Sequence, residues 1–143
     1  MTFNKDRSAG YLANHMARLF AQGLNARITE FGLSPGQFPA LLVLWKEDGL
    51  TQRELVKRID VEQATMANTL IRMERDGLIM RQRHPADGRA QQIWLTKKAK
   101  DLEFEATKAA QMQNEVALKE LNDEEREQFL SLMQKVIKTL KES

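Results

Sequence analysis

Apolar side chains recur at three- and four-residue steps along most of this chain, and in one stretch the rhythm changes to alternation. Tyr11, Leu12, His15, Met16, Leu19, Phe20, Leu24, Ile28 and Phe31 form one such stripe, which predicts a helix from about Ser8 to Phe31, stopped by Gly32. Ser34-Pro35-Gly36-Gln37 reads as a capping box with proline at the first helical position. It opens a helix bearing Phe38, Leu41, Leu42, Leu44 and Trp45, which ends at Asp48-Gly49.

Thr51-Gln52-Arg53-Glu54 is a second capping box, for a short helix through Ile59 with Leu55, Val56 and Ile59 inward. Asp60-Val61-Glu62-Gln63 reads as a third, for a helix running to Asp76 with Gly77 as its left-handed stop. Ala64, Ala67, Leu70, Ile71 and Met73 are its expected buried side, and Gln63, Thr65, Asn68, Thr69 and Arg72 point elsewhere. Leu78–His84 and Arg89–Leu95 then alternate as two strands around a Pro85-Ala86-Asp87-Gly88 turn. Thr96 caps a long helix carrying Ala99, Leu102, Ala106, Ala109, Ala110 and Val116. Asn122-Asp123-Glu124-Glu125 caps a last one with Phe129, Leu132, Met133, Val136, Ile137 and Leu140 on its apolar face. The fold class is therefore mainly α with a small β-hairpin wing.

Composition narrows the function. At 143 residues with 42% apolar, the chain is expected to form a single domain with a real core. Mean hydropathy is −0.52, and no apolar run nears the ~20 residues of a membrane span, so a cytoplasmic protein with no membrane partner is expected. The polar start, Met1 to Gly10, has no apolar signal-peptide core. Without cysteine there are no disulfides, thiolate metal sites or thiol redox centres. The two histidines, His15 and His84, lie far apart, and none of the four serines sits in a nucleophile-elbow pattern. No cofactor, no metal and no enzymatic activity are expected.

Charge is unevenly placed. Residues 1–50 carry a balance of +1, residues 51–100 carry +5 and residues 101–143 carry −4. The central excess lies between Ile71 and Lys100, where eight basic side chains meet three acidic ones. Concentrated positive charge in a near-neutral chain points to a polyanion at one face. It falls on the end of the second of two short capped helices and on the hairpin that follows, the order of a winged helix-turn-helix.

The segment from Leu33-Ser34-Pro35-Gly36-Gln37-Phe38 through Leu95-Thr96 resembles the MarR family of bacterial transcription regulators. Asp87-Gly88-Arg89-Ala90 with Leu95-Thr96 is similar to that family's wing signature, and Glu74-Arg75-Asp76-Gly77-Leu78-Ile79 to the close of its recognition helix. The resemblance implies a homodimer carrying one winged helix-turn-helix per subunit on a palindromic operator in double-stranded DNA. It implies a lobe at 33–96 and dimerisation helices at 8–31 and 97–141. It also implies a cleft for a small aromatic or amphipathic effector, for which Tyr11, His15, Phe38 and Trp45 are candidates. A histidine on such a stripe is more often an interface or core residue than a ligand contact, and Tyr11, Phe38 and Trp45 are each more often plain core.

The matching residues have suitable chemistry. Gln63 and Asn68 can pair with adenine edges, and Thr65 can meet a base or a thymine methyl. Thr69, Arg72 and Arg83 are placed for phosphate, and Arg89 at the hairpin tip for a narrow minor groove. Asp87 is expected to pin Arg89 by a forked ion pair and shape the turn, or to act only as the turn-forming residue before Gly88. His84 is expected to be exposed. Two rival readings stay open: the same module without an effector, and a winged-helix surface that docks protein.

Overall fold

The computed structural model describes residues 2–143, as two compact units that divide after Ala110. In the first unit, α1 (Ala9–Ile28) begins at Ser8, whose hydroxyl accepts the Tyr11 N–H, and a 3₁₀ turn over Thr29–Phe31 follows it. The predicted continuous helix to Phe31 is thus tightened in its last turn. Next come α2 (Phe38–Lys46), β1 (Leu50–Thr51), α3 (Gln52–Ile59), α4 (Gln63–Arg75), β2 (Ile79–Arg83), β3 (Gln91–Leu95) and α5 (Lys97–Asp101). α6 (Glu103–Ala117) follows a break at Leu102, so the single helix expected after Thr96 is two.

The expected hairpin carries a third strand. β3 lies between β1 and β2, antiparallel to both, with Leu50 opposite Ile93 and Arg81 opposite Ile93 from the other side. β1 is two residues long, too short for alternation to reveal. Gly49 sits before it at φ +74°, and a Cβ there would lie 2.5 Å from the Trp94 ring, so both conformation and space require glycine.

Three local signals come out differently from the sequence. The box over residues 34–37 forms by half: Gln37 Oε1 accepts the Ser34 N–H at 3.3 Å, but its Nε2 donates to Asp76 and α2 has no side-chain cap. The box over residues 60–63 does not form. Asp60 instead ends α3 in the left-handed region (φ +61°), and Glu62 precedes α4 without a side-chain cap. Ala64 and Ile71 are exposed, and α4 buries Met66, Leu70 and Met73.

Those three join Leu41, Leu44, Leu55, Leu78, Ile93, Leu95 and Ala99 in the core, which locks both helices of the pair to the sheet. In the second unit, α7 (Asp123–Glu142) opens with a complete capping box between Asn122 and Glu125. Arg126 pairs with Glu115 at 3.4 Å, and α7 buries none of its residues. No helix among the described residues is long and apolar enough to cross a membrane.

Candidate nucleic-acid interface

α3 and α4 are joined by three residues, Asp60 to Glu62, and the left-handed Asp60 makes that turn tight. The start of α3 is rigid because Thr51 Oγ1 accepts the Glu54 N–H at 3.2 Å while Glu54 Oε1 accepts the Thr51 N–H at 3.0 Å. That backbone hydrogen bond from Thr51 is the main cause holding the Glu54 carboxyl below its usual pKa.

At about 3.6 residues per turn, α4 presents three rows. Met66, Leu70 and Met73 form the buried one, and Gln63 extends it beyond the core at the exposed first turn. Ala64, Asn68, Ile71 and Arg75 form a solvent-facing row. Thr65 and Arg72 lie beside it, exposed, and Thr69 is half-buried at its edge. Ile71 is 58% exposed at the centre of this polar face, a position that periodicity alone assigned to the core.

The wing returns beside α3. Its tip is closed by backbone bonds from His84 N–H to Ala90 O (2.9 Å) and from Ala90 N–H to Asp87 O (3.0 Å). Asp87 Oδ1 accepts the Arg89 N–H at 3.0 Å and lies 3.5 Å from Arg89 Nε. The ion pair is made by one oxygen, not the expected fork, and the same oxygen shapes the turn. Arg89 is otherwise in solvent, with its side chain 95% exposed. His84 is half-buried rather than exposed, and its Nδ1 accepts the N–H groups of Ala86 (3.0 Å) and Asp87 (3.3 Å). It is a strut of the turn that the sequence did not reveal.

A groove of about 540 Å³ runs between the wing and the starts of the two helices. Gln63, Arg83, Asp87 and Arg89 line it together with Thr51, Gln52, Arg53, Arg81, Gly88, Ala90, Gln91 and Ile93. Of the expected site residues, Thr65, Asn68, Thr69 and Arg72 are not among its lining; they belong to the outer rows of α4. Arg81 is neutralised by Glu74 at 3.4 Å, whereas no acidic partner lies within ion-pair distance of Arg72 or Arg83 among the described residues. Gln52, Arg53 and Gln91 were missed; the only trace of Gln52 in the sequence is its place just after the Thr51 cap.

The four effector candidates form two aromatic pairs. Tyr11 and His15 meet edge to face at 5.9 Å along α1. Phe38 and Trp45 do the same at 5.9 Å along α2, where Trp45 Nε1–H donates to Ala99 O. Phe38 is buried in the core.

Comparison with known proteins agrees with this geometry. The MarR family model matches residues 33–90, from the start of the α2 turn to the wing tip. An uncharacterised HTH-type transcriptional regulator, YwoH of Bacillus subtilis, is 32% identical over 83% of this chain and 86% of its own. The PcaV transcriptional regulator of Streptomyces coelicolor, solved in complex with its natural ligand, superposes with a TM-score of 0.86 at 25% identity, covering 96% of this chain and 97% of the other. Reduced AbfR bound to DNA superposes with a TM-score of 0.73 at 25% identity, covering 91% and 88%. Helix pair, wing and near full-length similarity converge on one conclusion: the chain belongs to the MarR family of transcriptional regulators.

Proposed function

We propose that this chain is a sequence-specific double-stranded DNA-binding regulator, not an enzyme. It acts in the cytoplasm as a homodimeric repressor on a palindromic operator and is released by a small aromatic or amphipathic ligand. The observation that carries this reading is the groove in which the start of α4 meets a wing bearing Arg83 and Arg89, with the exposed Asn68 row beside it. A helix start carrying Gln, Thr and Asn suits major-groove edges, and an extended arginine on a narrow hairpin suits the minor groove. Thr69, Arg72 and Arg83 contact phosphate in this account, and Asp87 with His84 holds the Arg89 turn. Residues 33–96 are the reading lobe.

Residues 8–31 and 97–141 supply dimerisation. Leu12 and Leu19 on α1, and Leu132, Val136, Ile137 and Leu140 on α7, are exposed apolar side chains that a second subunit would cover. The ligand-bound PcaV supports an effector here, with Tyr11, His15, Phe38 and Trp45 as the candidate contacts. Selection of bound sequences from random double-stranded DNA tests the reading. Enrichment of a two-fold symmetric site is expected, and no enrichment would overturn it.

A further inference from the structure

We propose that Gln52 is a positioning residue that sets which way the Gln63 amide faces, and so which base edge Gln63 reads. This deepens the DNA-reading function proposed above and rests on it. Gln52 Nε2 donates to Gln63 Oε1 at 3.2 Å, joining the first residue of α3 to the first residue of α4. Both side chains line the groove between helix pair and wing. The Thr51–Glu54 capping box fixes the Gln52 backbone, so the donor comes from a rigid platform. Gln63 lies on the row of Met66, Leu70 and Met73, whose burial fixes the rotation of α4 and turns Gln63 towards α3.

A glutamine amide has one donor end and one acceptor end. With Oε1 turned towards Gln52, the NH₂ group of Gln63 is the end that faces away from α3 and is presented to DNA. That end suits an acceptor on the base edge: purine N7, guanine O6 or thymine O4. It opposes the exocyclic amine of cytosine. Gln52 itself touches no base in this scheme; its effect passes through Gln63.

The test is random-site selection with the full chain, comparing wild type, Gln63→Ala, Gln52→Glu and Gln52→Lys. The base pair whose preference collapses in Gln63→Ala identifies the position Gln63 reads. Gln52→Lys still donates to Oε1 and should keep the wild-type preference there. Gln52→Glu accepts from the Gln63 NH₂ group, turns the amide over, and should move the preference by about tenfold towards an amine-bearing base. A merely structural Gln52 would alter affinity at all sites alike and leave the base choice unchanged. The inference is overturned if Gln52→Glu and wild type select the same base at that pair, or if Gln63→Ala changes no pair. A wild-type protein that enriches no sequence fails the DNA-binding reading itself, which separates the two failures.

Discussion

Gln37 and Asp76, 39 positions apart, are joined by a hydrogen bond from Gln37 Nε2 to Asp76 Oδ2 at 2.9 Å. The bond ties the turn before α2 to the end of α4. Lys98 Nζ donates to the Asp76 carbonyl at 3.0 Å and Thr96 Oγ1 to the Gly77 carbonyl at 2.7 Å, so the start of α5 is held to the same point. α4 is therefore anchored at its far end by polar groups and along its length by Leu70 and Met73.

Hydrogen bonding from Gln37 first, then from Arg75, holds the Asp76 carboxyl below its usual pKa. A carboxyl lowered in the folded state stabilises the protein fully above the unfolded value, about 3.9. That contribution fades as pH falls through the folded value. Asp76→Asn should thus melt below wild type at pH 7, with the gap closing as pH drops below about 4. Gln37→Ala removes a bond to a charged acceptor and should cost about 1.5–3 kcal/mol at pH 7. Melting curves across pH check both; a constant gap would contradict the linkage.

Neighbouring positions on α4 should separate folding from reading. Leu70→Ala opens the core and is expected to cost about 2–5 kcal/mol in a denaturant titration. Ile71→Ala removes an exposed side chain and should leave stability within about 0.5 kcal/mol of wild type. If the solvent-facing row of α4 meets base edges, Ile71→Ala weakens operator binding through a lost thymine-methyl contact. An unstable Ile71→Ala with normal DNA affinity would contradict the face assignment.

Two glycines test the wing's foundation. Gly77 is left-handed at φ +74° with open space at its Cβ position, so Gly77→Ala should cost only the conformational term, about 1–2 kcal/mol. Gly49→Ala carries the same term and in addition drives a methyl into the Trp94 ring. It should be the more damaging of the two by chemical denaturation. Equal losses would show that Trp94 swings aside freely.

Leu132 and Val136 are 60% and 56% exposed on α7, which buries nothing of its own. Leu132→Glu with Val136→Glu should halve the mass seen by light scattering and weaken operator binding. A wild-type monomer that binds a palindrome tightly would refute dimerisation through this face.

The sequence made local structure legible where the determinants are close together. The Thr51–Glu54 and Asn122–Glu125 boxes form as read, whereas over residues 34–37 the Gln37 amide is drawn to the distant Asp76. Asp60 looked like a cap from its residue type, yet tertiary packing placed it in the left-handed turn. Periodicity put Ile71 on the buried face, and only the finished core, filled by Met66, Leu70 and Met73, excludes it. Gln52 was invisible because its partner lies eleven residues away across the turn. The half-buried His84 was obscured likewise, since its ring is engaged by backbone N–H groups that a sequence does not mark.

In the proposed function, the groove and the outer face of α4 meet the phosphates and base edges of a duplex. The most direct test is fluorescence anisotropy of duplex DNA selected by the protein, titrated at several salt concentrations for wild type and Arg89→Ala. For wild type, log affinity is expected to fall steeply with log salt, since each neutralised phosphate releases counterions. Arg89→Ala should bind more weakly by about 1–3 kcal/mol, with a slope shallower by roughly one per lost contact and the same base preferences. A nearly flat salt response, or an Arg89→Ala protein indistinguishable from wild type, would contradict it.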